Sequence, residues 1–283
     1  MEEKYTQGYT VQSHFIDGAC RFTLIGMVAK AQDLVSFHFG EHALSIPHMN
    51  RRGQTWVVSK QHFEIAEYPL WRDELALQSW LEPIKGPFVY YDFAFSFVQN
   101  GKKLSATQKI ENAPITNETP LEPFLKANSL WLVLDSEKLR PVKPSGFEFD
   151  NFGTSEEQTF PQKFPKINLP EKWQVESEFS PLLPDIDLNG HVNNIVYVSY
   201  ILSFLPQKVQ NGMLVKTLDT HYISSAHISD RLICRSSIVE NDGDAPSDSI
   251  CVVHSIIRSD LSEVFRAKTL WLPQNQLSRE FVV

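Results

Sequence analysis

Asp187, Asn189 and His191 occupy every second position of the stretch Asp185-Ile186-Asp187-Leu188-Asn189-Gly190-His191-Val192-Asn193-Asn194. Alternation of this kind sends the side chains of an extended segment to one side. Residues 195–205, immediately behind, are almost wholly apolar or aromatic, and Pro206 follows them. Such a run is long enough for a helix that the proline ends. A carboxylate, an amide and an imidazole are therefore expected to converge just ahead of a helix N-terminus. There, unpaired backbone N–H groups and the helix dipole favour developing negative charge. That set can do acid–base chemistry on a carbonyl. The same residue types also build capped polar turns, so the trio by itself leaves a plain turn open.

The elements that must hold this trio are legible as a repeated order. Residues 9–15 read as a strand turned by Asp17-Gly18, and residues 22–43 carry apolar side chains at helical spacing, Leu24, Met27, Val28, Ala31, Leu34 and Val35. Strand-like runs follow at 55–65, 74–81, 89–98 and 103–109, with Asn100-Gly101 as a hairpin signal, and another lies at 129–134. Prolines at 141, 144, 161, 165 and 170 then mark a linker whose Phe residues give it something to bury. Beyond it the opening order recurs: a strand at 173–179, the polar stretch, the apolar helix, and strands at 213–221, 231–239, 250–257 and 264–272. Turns are expected at Asn241-Asp242-Gly243 and Ser259-Asp260.

Placing the two polar turns in register sets Asp17 against Asp187, Ala19 against Asn189, Arg21 against His191, and Asp73 against Asp230. An internal repeat of this length implies two copies of one unit, each a sheet curled round a buried helix, able to pair edge to edge. The first copy keeps the acid and lacks the amide and imidazole. Chemistry is therefore expected in the second copy alone.

The chain has 283 residues, 42% of them hydrophobic, with nineteen Phe and six Trp, so a large core is within reach. A formal charge of −8 with no dense Lys/Arg stripe argues against nucleic-acid binding. Cys20, Cys234 and Cys251 lie far apart without metal-ligand spacing, which speaks against a disulfide framework or a zinc site and for a reducing compartment. No signal-like leader or membrane-length apolar run stands out, and a soluble cytoplasmic protein is expected.

Asp187-Leu188-Asn189-Gly190-His191-Val192-Asn193-Asn194 resembles the D-x-N-x-H-V-N-N signature of the acyl-acyl carrier protein thioesterases of plastids and bacteria. Weaker likenesses are Gly53-Gln54-Thr55-Trp56-Val57-Val58, residues 68–73, and residues 129–135 before Arg140-Pro141-Val142. The resemblance covers nearly the whole chain. It implies an α+β tandem (double) hot-dog, two antiparallel sheets each wrapped around a central helix. Residues 1–140 would be an N-terminal unit serving as scaffold and acyl-chain binder, 141–172 a linker, and 173–283 a catalytic unit. It implies that Asp187, Asn189 and His191 match catalytic positions, and that no cofactor or metal is needed.

Plant members continue with a tyrosine, Arg-Arg-Glu-Cys and an acidic turn, and that glutamate is a catalytic candidate there. With Tyr222 and Ser229-Asp230 as anchors, Ser225 stands at the glutamate's position and Ala226 at the cysteine's. The polar stretch at about 108–126 is a further departure and is assigned to a surface loop.

The reaction implied is hydrolysis of a fatty acyl thioester on an acyl carrier protein, releasing free fatty acid. Asp187 could orient or deprotonate water, or attack directly; Asn189 could position the water or donate to the carbonyl; His191 could shuttle protons or have its tautomer set by Asp187. Backbone N–H groups of the helix beginning near Val192 would meet the oxyanion. Ser225 is a poor base and lies in no G-x-S-x-G elbow. His221 and His227 stand near it in sequence and are expected to be structural. An acidic carrier needs a local basic patch, for which the candidates are Arg51 with Arg52, Lys102 with Lys103, Lys163 with Lys166, and Arg140 with Lys143. Neither nucleic acid nor membrane is an expected partner, and a homodimer is left open. An acyl-CoA thioesterase of the same fold and a non-catalytic acyl-thioester-binding protein are the alternatives.

Overall fold

The computed structural model describes residues 4–98, 122–161, 164–240 and 245–281. The chain divides into two compact units, one of Met1–Ser59, Ile65–Lys163 and Arg279–Val283, the other of Lys60–Glu64 and Phe164–Ser278.

The first unit runs β1 (Tyr5–Thr10), α1 (Leu24–Glu41), α2 (Ile46–Asn50), β2 (Gln54–Ile65), β3 (Glu74–Leu81), β4 (Phe88–Phe97), β5 (Leu125–Asp135), β6 (Pro141–Val142) and α3 (Phe147–Asp150). Its strands are ordered β1-β3-β4-β5-β2, with β6 paired to β5. α1 begins where the Thr23 side chain accepts the Gly26 N–H at 3.2 Å. Its apolar stripe, Met27, Ala31, Leu34 and Val35, is buried together with Leu75, Leu77, Phe93, Phe95 and Ala127 of the strands. The expected strand at 9–15 is displaced: pairing to β3 ends at Thr10, and Ser13–Phe15 forms a 3-10 turn that swings the chain into the loop before α1. The expected strand at 103–109, the Asn100-Gly101 hairpin, most of the polar stretch at 108–126 and the Asn241-Asp242-Gly243 turn lie outside the described residues.

The proline-rich segment clings to this unit. Ser155 N–H donates to the Leu81 carbonyl at 2.8 Å, Trp80 Nε1 donates to the Glu157 carbonyl at 2.9 Å, and Thr159 N–H donates to the Asp92 carboxylate at 3.0 Å. Phe149 and Phe152 are buried, so the aromatic residues of the segment anchor it.

The second unit contains β7 (Val175–Phe179), α4 (Asn194–Ser203), α5 (Gln207–Gln210), β8 (Met213–Tyr222), β9 (Leu232–Val239), β10 (Ile250–Arg258) and β11 (Glu263–Pro273). The order is β8-β11-β10-β9-β7, and Lys60–Glu64 of β2 pairs antiparallel with β8. α4 packs on β9 and β10 and buries Tyr197, Val198 and Ile201. At mid-sheet, His254 is held between the Ser236 hydroxyl at 2.8 Å and the Thr269 hydroxyl at 2.9 Å, which is how so polar a residue is accommodated there. Each unit is an antiparallel sheet around one central helix, the α+β hot-dog arrangement.

Candidate active site

The stretch 186–192 is a closed turn and not an extended segment. Ile186 and Val192 form an isolated antiparallel bridge, Asp187 N–H donates to the His191 carbonyl at 2.8 Å, and Gly190 N–H donates back to the Asp187 carbonyl at 3.0 Å. Asp187 Oδ1 accepts the Asn189 N–H at 2.8 Å. Gly190 sits at φ +75°, a left-handed conformation that glycine adopts without steric cost. The turn, rather than strand alternation, is therefore what brings Asp187 and His191 together, with Asn189 tied in through its backbone N–H. Asp187 belongs to it twice, through its backbone and through one carboxylate oxygen.

The first unit holds the same turn with different side chains. Asp17 N–H donates to the Arg21 carbonyl at 2.9 Å, Cys20 N–H donates to the Asp17 carbonyl at 3.0 Å, and Cys20 takes the left-handed position at φ +60°. Asp17 Oδ1 accepts both the Ala19 and Arg21 N–H groups, and Arg21 Nε closes an ion pair on Oδ2 at 2.7 Å. That carboxylate is fully engaged. In the second unit the Arg21 position is His191, and Oδ2 of Asp187 bonds to no described residue. The second copy thus leaves open a carboxylate oxygen that the first copy closes.

A second loop packs onto the turn. Val192 N–H donates to the Ala226 carbonyl at 2.9 Å, as Phe22 N–H does to the Pro69 carbonyl at 2.7 Å in the first unit. Ala226 N–H in turn donates to the hydroxyl of buried Tyr197 at 2.9 Å. Burial pushes the Tyr197 phenol up to about 12, so it remains a neutral hydroxyl. Further along, His227 N–H donates to Asp230 Oδ2 at 3.0 Å, and Arg258 Nε reaches the same oxygen at 3.0 Å. Arg258 also donates to the Ser224 hydroxyl at 3.1 Å and to the Ser225 carbonyl. Burial raises the Asp230 carboxyl, but the His227 N–H and the guanidinium outweigh it and hold the group below its ordinary range.

His227 and His191 meet edge to face, ring centroids 4.6 Å apart at 81°. Burial draws the His191 imidazole below the ordinary histidine range; His227 draws it the same way and the Asp187 carboxylate opposes. Among the described residues, nothing hydrogen-bonds to either ring nitrogen of His191 or to the Asn189 side-chain amide. Ser225 is exposed on this loop and hydrogen-bonds to none of the trio among the described residues; its backbone carbonyl, not its hydroxyl, is what Arg258 holds. His221 lies on β8, paired across from Lys60 and from Arg266, where burial first and those two cations second pull it down to about 4. The site itself includes a residue that sequence reasoning set aside, His227, which the repeat register places opposite apolar Leu70.

The helix start also differs from expectation. α4 begins at Asn194, capped by Asn193, whose side-chain oxygen accepts the Ile195 N–H at 3.1 Å. Val192 N–H is spent on Ala226, and Asn193 N–H on the Asp185 carbonyl at 2.9 Å. Neither is available to an oxyanion. Asn194 N–H and His191 N–H have no acceptor among the described residues and are the donors left at this end. No group of His, Cys, Asp and Glu among the described residues is arranged to hold a metal ion. No described helix is long and apolar enough to cross a membrane.

Residues 170–273 match the family model of the acyl-ACP thioesterase C-terminal domain, and residues 2–110 match that of the N-terminal domain. Among curated proteins, a chloroplastic dodecanoyl-[acyl-carrier-protein] hydrolase of Cinnamomum camphora is 26% identical over 231 residues, covering 80% of this chain and 55% of its own. The chain spans about half the length of that relative. Among solved structures, an acyl-ACP thioesterase from Bacteroides thetaiotaomicron superimposes with a TM-score of 0.74 at 19% identity, covering 95% of this chain and 97% of the other. The 12:0-ACP thioesterase from Umbellularia californica gives 0.72 at 18% identity, with 95% and 94% covered. At these identities the superpositions show a common fold.

Proposed function

The chain belongs to the acyl-ACP thioesterase family, and we propose that it hydrolyses the thioester linking a fatty acyl chain to an acyl carrier protein. The observation that carries the reading is the turn of the second unit, where one carboxylate oxygen of Asp187 bonds to no described residue and stands beside an imidazole with no hydrogen-bonded partner among the described residues.

Water attacks the acyl carbonyl carbon as His191 takes one of its protons, Asp187 stabilising the imidazolium that forms. The C–O bond forms, and the carbonyl oxygen collects negative charge within reach of the Asn194 and His191 N–H groups and the Asn189 amide. Collapse of the tetrahedral intermediate breaks the C–S bond, and the proton held by His191 passes to the departing thiolate. The products are a fatty acid and the free carrier thiol.

Neither Cys234 nor Cys251 replaces the thiol absent at Ala226. Burial pushes the Cys234 thiol up to about 12, which keeps it protonated, and Cys251 is buried in β10. Cys20, Cys234 and Cys251 are not joined in disulfides, which accords with a reducing compartment, and we place the protein in a cytoplasm on that ground.

The test is thiol release from acyl-carrier and matched acyl-CoA substrates of graded length, with Asp187→Asn and His191→Gln alongside. Losing a general base or its partner lowers turnover by about 10²- to 10⁴-fold. Near-wild-type rates in either variant would exclude this assignment. Faster turnover of acyl-CoA would move the substrate while leaving the chemistry in place. Carrier binding without thiol release would make the protein an acyl-thioester binder.

A further inference from the structure

We propose that His227 is a positioning residue of this site, acting through its ring contact to keep His191 neutral and so able to accept a proton from water. The inference rests on the hydrolytic reading above and adds to it the group that sets the charge state of the base.

The loop at 223–230 carries no carboxylate at Ser225, and its only ionisable side chains are those of His227 and Asp230. Asp230 is committed: Arg258 and the His227 backbone N–H both hold its Oδ2. His227 is left, and its ring stands edge to face on His191 with centroids 4.6 Å apart. The positive edge of one aromatic ring against the negative face of another is the favoured arrangement, and it suits one charged and one neutral imidazole. Two imidazolium ions at that separation would repel.

Burial sets the two rings apart. His191 is the more buried of the two rings, so desolvation opposes a charge on it. Asp187 faces His191 from the same turn, while Asp230 holds the His227 N–H and Arg258 holds Asp230 and the Ser225 carbonyl; the neutral Tyr197 phenol comes from α4. Asp185 is bonded to the Tyr200 hydroxyl and Asp230 to Arg258, leaving Asp187 as the opposing influence on His191.

The experiment titrates the His191 ring by NMR in the wild type, His227→Asn and His227→Lys, with the resonance assigned by its loss in His191→Gln. It pairs these titrations with kcat/KM against pH. In His227→Asn the His191 midpoint should move up, and the acid limb of kcat/KM should move with it. KM should be unchanged, and activity at mildly acidic pH should fall several-fold more than activity at alkaline pH. His227→Lys, which puts a permanent cation on the loop, should bring the midpoint back to the wild-type value or below. An unchanged His191 midpoint in His227→Asn overturns the inference even in a protein that hydrolyses thioesters. A shifted midpoint with an unmoved kinetic limb overturns the claim that His191 accepts the proton. If the wild type cleaves no thioester, the hydrolytic reading fails, and the NMR titration still decides whether His227 governs His191.

Discussion

Asp17 and Asp187 hold the same turn, and one side chain opposite each separates a structural carboxylate from a usable one. Arg21 spends both oxygens of Asp17, whereas His191 leaves Oδ2 of Asp187 open. Recreating the first arrangement in the second unit is a direct test. His191→Arg should close an ion pair on Asp187, keep the thermal midpoint close to wild type, and lower thioesterase turnover by about 10²- to 10⁴-fold. Activity retained in that variant would mean the open oxygen is irrelevant. Ser225→Ala should stay within a few-fold of wild type in the same assay, because its hydroxyl is exposed and bonds to none of the trio among the described residues. A loss as large as that of Asp187→Asn would bring Ser225 into contact with the reacting atoms.

At the scale of elements, the turn is useful only if the helix behind it and the loop beside it stay where they are. Asn193 caps α4, and replacing an Asn cap by Ala costs about 1 kcal/mol. Asn193→Ala should therefore lower stability by that amount in denaturant melts and also reduce kcat, since the freed helix start carries the Asn194 N–H. Thr23→Ala, the matching cap of α1, should cost about as much stability with no change in kcat. Equal losses of kcat in both variants would show that the effect is one of global stability. On the other side, Arg258 ties β10 to Ser224, Ser225 and Asp230 at once. The loop bearing His227 is thus pinned by a residue some thirty positions away.

At the scale of the whole molecule, the two units carry buried titrating groups of opposite sign. In the first, burial pushes Asp92 up to about 7, and nearby Glu82 adds to this against the hydrogen bonds of Thr159. A carboxyl raised above its unfolded value binds more protons when folded, so this contribution favours the fold at low pH and is lost as pH rises from about 4 to about 7. In the second unit, burial drives His254 down to about 3 and His221 down to about 4. These histidines bind fewer protons when folded, so their contribution is present above about 6.5 and is lost as pH falls towards those values. Hydrogen exchange at pH 5 and pH 7.5, corrected for intrinsic rates, should show opposite changes. The 155–159 segment over β4 should be better protected at pH 5, and β9 to β11 at pH 7.5. Asp92→Asn should abolish the first trend and leave the second. Parallel changes in both units would contradict this account.

The sequence by itself determined the period of each element, the two-fold repetition of strand, turn, helix and sheet, and the register that sets Asp17 on Asp187 and Asp73 on Asp230. Those features depend on neighbours a few positions apart, and their spacing is written in the chain. It also pointed to Asp187, Asn189 and His191, though by the wrong geometry: alternation suggested a strand, while an acid that accepts its own downstream N–H made a turn. Only the tertiary structure decided that Val192 and Ala226 join two loops, that Arg258 clamps the second loop, and that His227 lands on His191. Each of these contacts spans about thirty residues or more. Such contacts form because distant backbone groups must find partners when the sheet closes round its helix, and no local spacing records which partner is found.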